Sequence, residues 1–145
     1  MKALFPGSFN PFTKGHADIV ERTLKMFDEV VVAIGVNAAK PVSSQDETEA
    51  HERLKAYYKD NPRVRVTEYS CLTADLCQEL GIGVIVRGVR SVKDFEYERQ
   101  MADVNRKLTG VETVMLFADP AYESLSSSLV RELAAYGRDV STFII

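Results

Sequence analysis

The stretch PGSFNPFTKGH, residues 6–16, places a histidine directly after Thr-Lys-Gly at the start of a helical pattern. Free N–H groups at a helix N-terminus bind anions, and Gly15 lets a phosphate approach the backbone closely. His16 at this point can donate a hydrogen bond to a phosphate oxygen. We therefore interpret His16 as a functional residue rather than only a helix cap, and Ser8 and Thr13 are further polar groups of the same loop.

A second polar cluster, RGVRS at 87–91, follows an otherwise apolar run. A buried arginine needs an anionic ligand or an acidic neighbour, so Arg87 must have one or the other. The acidic neighbours nearest in sequence are Asp94, Glu96 and Glu98. We expect an ion pair of this kind for one of the two arginines, Arg87 or Arg90, rather than for both.

A third cluster, SLSSSLVRE at 124–132, places several hydroxyl groups at the start of the last helical pattern. These serines can cap the helix or donate to phosphates, and the sequence leaves both roles open. Together the clusters supply His, Ser, Lys and Arg donors, without a Ser-His-Asp order, paired catalytic carboxylates or a metal cage. Such donors suit phosphoryl-type transfer, in which catalysis is mostly positioning and neutralisation of developing charge, without a covalent enzyme intermediate.

Two common phosphate-binding motifs are excluded. The glycines after the first apolar run are Gly7 and Gly15, which do not form the dinucleotide pattern GxGxxG. Gly83 and Gly88 have the spacing of a P-loop, but Val-Arg follows them where that motif requires Lys and Ser or Thr. The sequence is therefore neither that of a dehydrogenase nor that of a P-loop kinase.

Apolar runs and amphipathic patterns alternate along the whole chain and must position these clusters. We predict strands at 2–5, 29–36, 64–69, 83–88 and 113–118, and helices at 16–27, 47–59, 73–80, 95–108 and 126–136. This alternation predicts an α/β fold: a Rossmann-like, doubly wound, five-stranded, mostly parallel sheet with helices on both faces. Ligands of such folds bind outside the carboxyl ends of the strands, where the polar clusters lie.

Composition limits the possible partners. A chain of 145 residues with 46% hydrophobic residues is long enough for one domain, which we take to span 1–145. A net charge of −3 gives no global reason to bind nucleic acid or an anionic membrane, although a local basic pocket remains possible. No stretch has the length of a membrane span, so we expect a soluble, cytoplasmic protein.

The remaining reactive or aromatic residues are assigned structural roles. Cys71 and Cys77, with the chain's two histidines, fit no zinc-binding spacing, and we expect both cysteines to be buried, reduced thiols. We expect His51 at the surface and the neighbouring Tyr57 and Tyr58 in the core.

The three motifs also resemble those of a known protein superfamily. TKGH with the serine cluster resembles the nucleotidyltransferase superfamily marked by HxGH or TxGH and ISSS-type motifs. Within it, the run RGVRSVKDFEYE at 87–98 resembles bacterial phosphopantetheine adenylyltransferases, and the similarity extends from Lys2 to about Phe143. The resemblance implies transfer of an adenylyl group from ATP to 4′-phosphopantetheine, giving dephospho-coenzyme A and pyrophosphate by in-line attack on the α-phosphate.

Site residues follow from the positions that match the family's motifs. The resemblance implies catalytic roles for His16, Lys40 and Arg90, with His16 stabilising charge on the α-phosphate. The positions implied for ATP binding are Ser8, Phe9, His16, Gly88, Val89, Arg90, Glu98, Tyr122, Glu123, Ser124, Leu125, Ser126, Ser127 and Ser128. Those implied for the acceptor are Ser8, Lys40, Thr73 and Arg87.

The resemblance further implies Mg²⁺ held mainly by ATP phosphates and water, binding of dephospho-coenzyme A and coenzyme A, and a homohexamer. The chain departs from the family pattern at Asn10, where Asp is common, and in the acidic segment 42–53. Two alternatives stay open: a nucleotidyltransferase with another phosphate acceptor, and a non-catalytic sensor of a nucleotide or coenzyme A.

Overall fold

The computed structural model of the protein describes residues 1–37 and 44–145. Within these ranges strands and helices alternate from end to end. The elements are β1 (Lys2–Gly7), α1 (Lys14–Thr23), β2 (Glu29–Gly35), α2 (Gln45–Tyr58), β3 (Val64–Tyr69), α3 (Thr73–Leu80), β4 (Val84–Val89), α4 (Val92–Thr109), β5 (Glu112–Phe117) and α5 (Ser127–Ala135). A short 3₁₀ turn, Pro120–Tyr122, lies between β5 and α5.

The strands form one sheet in the order β3-β2-β1-β4-β5, and every pairing among the described strands is parallel. The strand order reverses between β1 and β4, which are in register at Leu4 and Ile85. Loops leaving the carboxyl ends of two such strands diverge to opposite sides and open a crevice between them. The predicted α/β, doubly wound fold is confirmed, and the crevice lies where the polar clusters begin.

The core consists of two apolar layers, one on each face of the sheet. On one face Phe5, Val30, Val32 and Val86 pack with the apolar sides of α1 and α2. The opposite face packs Leu4, Val31, Ala33 and Ile85 against residues that include Ala74, Leu76 and Cys77 of α3. Because both faces are covered, β2 is an unbroken apolar run, as the sequence indicated.

Helix α4 begins earlier than predicted. Ser91 caps it by accepting a hydrogen bond from the N–H of Asp94 at 3.1 Å, so the helix starts at Val92 instead of residue 95. The helix ends at Gly110, which has a left-handed conformation with φ 80°. The early start matters for the site, because it places Asp94 in the first turn of α4, where it pairs with Arg90.

Three structural assignments from the sequence are wrong. The buried side of α2 is formed by Ala50, His51, Leu54 and Tyr58, at helical spacing, so His51 is in the interior and not at the surface. Tyr57 falls outside that stripe and is 55% exposed, whereas its neighbour Tyr58 is buried as predicted.

The third wrong assignment concerns a thiol. Cys77 is buried on α3, but Cys71 is exposed because it lies in the turn between β3 and α3.

Among the described residues, no helix is both long enough and apolar enough to cross a membrane.

Candidate functional site

A cavity of about 290 Å³ opens at the carboxyl edge of the sheet, in the crevice between β1 and β4. Its walls come from the loop after β1, the first turn of α1, the end of β4, and the segment from the 3₁₀ turn into α5. All three polar clusters of the sequence therefore meet in one place. The loop after β2, which carries Lys40, lies outside the described residues.

His16 is held by a capping box at the start of α1. The Thr13 hydroxyl accepts from the His16 backbone N–H at 3.2 Å, and the Thr13 backbone N–H donates to His16 Nδ1 at 2.9 Å. Nδ1 is thus an acceptor, which puts the proton of a neutral ring on Nε2. Capping and function are not alternatives here, because the cap leaves Nε2–H as the ring's available donor in the cavity wall.

The charge state of His16 follows from its surroundings. Burial, with smaller contributions from the positive charges of Arg87 and Arg90, lowers the pKa of His16 from 6.5 to about 3. The ring therefore stays neutral at physiological pH and acts as a dipolar hydrogen-bond donor rather than as a cation. The positive end of the α1 dipole also disfavours a charged imidazole at this position.

Aromatic rings fix the position of the imidazole. The centroids of Phe9 and Phe12 lie 5.0 Å and 5.2 Å from that of His16, and Phe5 is 6.2 Å away. Phe9 and Phe12 are both almost completely buried. The ring is therefore packed on an apolar wall, which limits its rotation and presents its free nitrogen in one direction.

Both arginines of β4 and the following turn are paired with acids, contrary to the prediction that only one would be. Arg87 donates from Nε and Nη2 to the two carboxylate oxygens of Glu98, at 2.8 Å each, and also to the carbonyl of Pro6. Arg90 pairs with Asp94 at 3.3 Å and donates to the carbonyl of Leu125. The physical reason is the early start of α4, which places Asp94 in the first turn of the helix beside Arg90, in addition to Glu98 beside Arg87.

The serine cluster caps α5 and also lines the cavity. Ser126 accepts from the Leu129 N–H at 3.1 Å and is the N-cap. Ser127 donates to the carbonyl of Pro11 at 2.7 Å, which ties α5 to the loop after β1. Ser128 accepts from Arg131 at 3.3 Å. Capping of the helix and donation to a phosphate, the two roles that the sequence left open, are therefore compatible at the start of α5.

Arg131 is a cation of the site that the sequence analysis did not single out. It lines the cavity and donates to the carbonyl of Asn10. Its position four residues after Ser127 on α5 places both on one face of the helix, and this spacing was the available signal. With Arg87 and Arg90, it gives the cavity three guanidinium groups.

A second cavity of about 260 Å³ adjoins the first on the side of β3 and α3. Thr73 lies in its wall, and its hydroxyl is hydrogen-bonded to that of Tyr69 at 2.8 Å. Helix α4 contributes Tyr97, Met101 and Asn105, which the sequence analysis missed although their spacing of four residues defines one helix face. The walls of the two cavities share Pro6, Gly7, Ser8, Arg87 and Glu98.

The structure brings together most of the residues named from the sequence. The first cavity is lined by Ser8, Phe9, His16, Arg87, Gly88, Arg90, Glu98, Tyr122, Leu125, Ser126, Ser127 and Ser128. Ser8, Thr73 and Arg87 line the second. Val89 and Glu123 instead line a separate cavity at the end of β4, which shares Arg90 with the first, and Ser124 is exposed and lines none of these cavities.

The described residues contain no group of three or more His, Cys, Asp or Glu side chains placed to hold a metal ion. In the wall of the first cavity Asp119 accepts from the Ala121 N–H at 2.9 Å, and the other three acids are paired with arginines: Asp18 with Arg22, Asp94 with Arg90, and Glu98 with Arg87. These carboxylates serve to orient cations.

The fold and the site have counterparts among known proteins. A family model described as cytidylyltransferase-like matches residues 4–133. A solved bifunctional NMN adenylyltransferase/ADP ribose pyrophosphatase from Francisella tularensis superposes with a TM-score of 0.68 over 99% of this chain and 44% of that one, at 15% identity. At that identity the likeness is one of fold. The fold, the family match and the crevice define the class: a nucleotidyltransferase of the cytidylyltransferase-like type.

Curated relatives identify the family to which the chain belongs within this class. The chain is 50% identical to the phosphopantetheine adenylyltransferase of Bacteroides thetaiotaomicron over 147 residues, which covers 99% of this chain and 94% of the relative. It is 53% identical to the phosphopantetheine adenylyltransferase of Porphyromonas gingivalis, with 98% and 92% covered. The chain belongs to the phosphopantetheine adenylyltransferase family.

Proposed function

We propose that the protein transfers the adenylyl group of ATP reversibly to 4′-phosphopantetheine, giving dephospho-coenzyme A and pyrophosphate. The observation that carries this proposal is the pair of adjoining cavities, whose walls share Ser8 and Arg87 and of which the first also contains His16. Two substrates bound side by side would have their reacting phosphates meet at that shared wall. Relatives at about 50% identity over nearly the full chain support the choice of reaction.

In the first cavity ATP would place its α-phosphate at the N-terminus of α1. The Nε2–H of His16 and the backbone N–H of Gly15 would donate to the α-phosphate oxygens as negative charge builds up in the transition state, because the N–H groups of Lys14 and His16 are already bonded to the Phe143 carbonyl and the Thr13 hydroxyl. Because the ring is neutral in the folded chain, it stabilises this charge as a donor and does not deliver a proton to the substrate.

In the second cavity the acceptor's phosphate would lie near Ser8 and Arg87, and its pantetheine arm would extend along the α4 face that carries Tyr97, Met101 and Asn105. A phosphate oxygen of the acceptor attacks the α-phosphorus, forming one P–O bond while the bond to the β-phosphate breaks. Pyrophosphate leaves with the electron pair, and no covalent enzyme intermediate is formed.

The remaining cations complete the neutralisation of charge. Arg90 lies in the wall of the first cavity and would contact the β- and γ-phosphates. We assign Lys40 a contact with the reacting phosphates by its match to the family motif alone. Mg²⁺ would be held mainly by triphosphate oxygens and water, a mode of binding for which the described residues need supply no cage. The ion would supply neutralisation of the triphosphate charge.

We also propose a homo-oligomer, with a hexamer as the expected form, that works in the cytoplasm, where ATP is available. Helix α4 supports self-association, because it exposes an apolar series at Phe95, Val104 and Leu108, and Val92 is 76% exposed. Dephospho-coenzyme A would bind as the product across both cavities, and coenzyme A shares most of its chemistry.

The test is pyrophosphate release from ATP and Mg²⁺ with 4′-phosphopantetheine, compared with nicotinamide mononucleotide and with no acceptor. Release with phosphopantetheine alone supports the proposal. Release with the other acceptor alone would indicate a different nucleotidyltransferase. Tight ATP binding without release under any acceptor would indicate a sensor.

A further inference from the structure

A second histidine lies behind the site, with no role assigned so far. His51, on α2, is only 4% exposed, and its Nε2 is 3.0 Å from the carbonyl oxygen of Ser8, on the loop after β1. These residues are 43 positions apart in sequence. The contact joins the helix that follows the loop after β2 to the turn shared by both cavities.

The chemistry of the partner fixes the direction of this hydrogen bond. A carbonyl oxygen only accepts, so His51 Nε2 must carry the proton and donate. Nδ1 faces Glu68 on β3 at 4.0 Å, beyond hydrogen-bond distance, and Glu68 is itself paired with Lys55 of α2 at 3.3 Å. Lys55 also pairs with Glu52. The bond to Ser8 therefore needs only a neutral ring with its proton on Nε2.

The Ser8–Phe9 turn has a backbone conformation that the hydrogen bond from His51 helps to hold. Phe9 has φ 46°, in the left-handed region that is costly for a bulky residue, so the surroundings must hold it there. Its ring fills the space beside Gly7 and packs on Phe5. The Ser8–Phe9 peptide is planar and trans, so a carbonyl held toward α2 directs the Phe9 N–H to the opposite side.

We propose that His51 is a positioning residue for the reaction: by holding the Ser8 carbonyl, it fixes the Ser8–Phe9 peptide so that the Ser8 side chain and the Phe9 N–H face the substrate phosphates. This role rests on the proposed function for the identity of the substrates. Ser8 lines both cavities, so loosening its peptide disturbs both substrates at the point where they react.

The experiment compares three variants of the full chain. His51→Leu removes the donor and leaves the Ser8 carbonyl without its partner. His51→Gln keeps an N–H donor of similar reach but cannot titrate. Leu54→Ala is the matched control, because Leu54 is fully buried on the same helix, belongs to the core and has no polar atom that could bond the Ser8 carbonyl. For each variant we would measure the melting temperature, the ATP dissociation constant by calorimetry, and kcat and KM for pyrophosphate release.

We expect His51→Leu to weaken ATP binding about tenfold, the effect of losing one buried hydrogen bond, and His51→Gln to restore it to within about threefold. Leu54→Ala should lower the melting temperature at least as much while leaving the ATP dissociation constant within about twofold of the parent. If Leu54→Ala weakens ATP binding as much as His51→Leu, or if His51→Gln restores nothing, His51 is only a core residue.

Nitrogen-15 shifts of the imidazole rings provide a readout that needs no substrate. The chain has two histidines, so the His51→Gln spectrum assigns both. A ring protonated at Nε2 at mildly alkaline pH supports the hydrogen bond, and one protonated at Nδ1 overturns it. Because calorimetry reports ATP binding whether or not phosphopantetheine is an acceptor, failure of the proposed function and failure of the His51 role are distinguishable.

Discussion

Arg87 and Glu98 form a bidentate ion pair, with both N···O distances 2.8 Å, in the wall that the two cavities share. Glu98 is almost completely buried, and the Arg87 guanidinium also donates to the carbonyl of Pro6 at the end of β1. The guanidinium group of Arg87 is therefore held in one orientation before any phosphate binds. A cation oriented in this way loses less side-chain entropy on binding than a free one.

Replacing Glu98 by Gln should disturb both stability and acceptor binding. The change leaves the half-buried charge of Arg87 without its counter-ion, which we expect to lower the free energy of unfolding by about 2 kcal/mol and to raise the acceptor's KM several-fold. Urea denaturation and pyrophosphate-release kinetics measure the two effects. Glu96→Gln is the matched control, since Glu96 is exposed on the same helix. Equal behaviour of the two variants would show that the pair does not orient Arg87.

Removing the imidazole of His16 should affect turnover rather than ATP affinity. His16→Ala deletes a donor that acts on charge developing at the α-phosphate, and we expect kcat to fall by about a hundredfold to a thousandfold. The apparent affinity for ATP should change little, because His16 is only a small part of the wall of the first cavity. Steady-state pyrophosphate release measures both parameters. Turnover close to that of the parent would exclude the role proposed for His16.

The low pKa of His16 predicts a specific dependence of stability on pH. In the unfolded chain the imidazole takes up a proton near pH 6.5, whereas in the folded chain it does so near pH 3. Between these values the unfolded state binds more protons, so the free energy of unfolding falls as the pH is lowered through this window.

His16→Gln lacks this titration. Its free energy of unfolding should fall less steeply than that of the parent between pH 6.5 and pH 3, by at most about 1.4 kcal/mol per pH unit, and the two curves should run parallel above pH 6.5. Urea denaturation at a series of pH values gives both curves, and the carboxylates common to both proteins cancel in the difference. Identical slopes through the window would mean that His16 is charged in the folded chain.

Much of the fold could be predicted because its signals are local. The strand β4 begins with a continuous β-branched run and was predicted within one residue at each end, and the edge strand β3, whose two valines flank Arg65, was predicted with its observed bounds. His16 was found for the same reason, since a helix start, a glycine and an imidazole lie within four residues of the sequence.

The rest of the site depends on contacts that have no sequence signature. His51 was placed at the surface because its partner is a backbone carbonyl 43 residues away, and any residue type supplies a carbonyl. Pairing of both arginines was missed because it depends on where α4 begins, and a serine cap moved that start by three residues. Arg131 reaches Asn10 across 121 residues of chain.

The close packing of Gly7 against Phe9 predicts that a single methyl group will damage the site. A Cβ at residue 7 would lie 2.7 Å from Cε1 of Phe9, which is buried and cannot move without displacing Phe5 or His16. We expect Gly7→Ala to lower the free energy of unfolding by about 1–3 kcal/mol and to weaken ATP binding, because the Ser8–Phe9 turn in the wall of the first cavity must shift.

The chain offers a matched control in Gly83, where a Cβ would meet no atom within 4 Å and the backbone needs no positive φ. Gly83→Ala should therefore leave ATP binding unchanged and alter the free energy of unfolding by no more than about 1 kcal/mol. Urea denaturation and calorimetry with ATP compare the two variants directly. If Gly7→Ala binds ATP as well as Gly83→Ala does, the turn after β1 tolerates movement of Phe9, and the packing of this ring does not fix the wall of the first cavity.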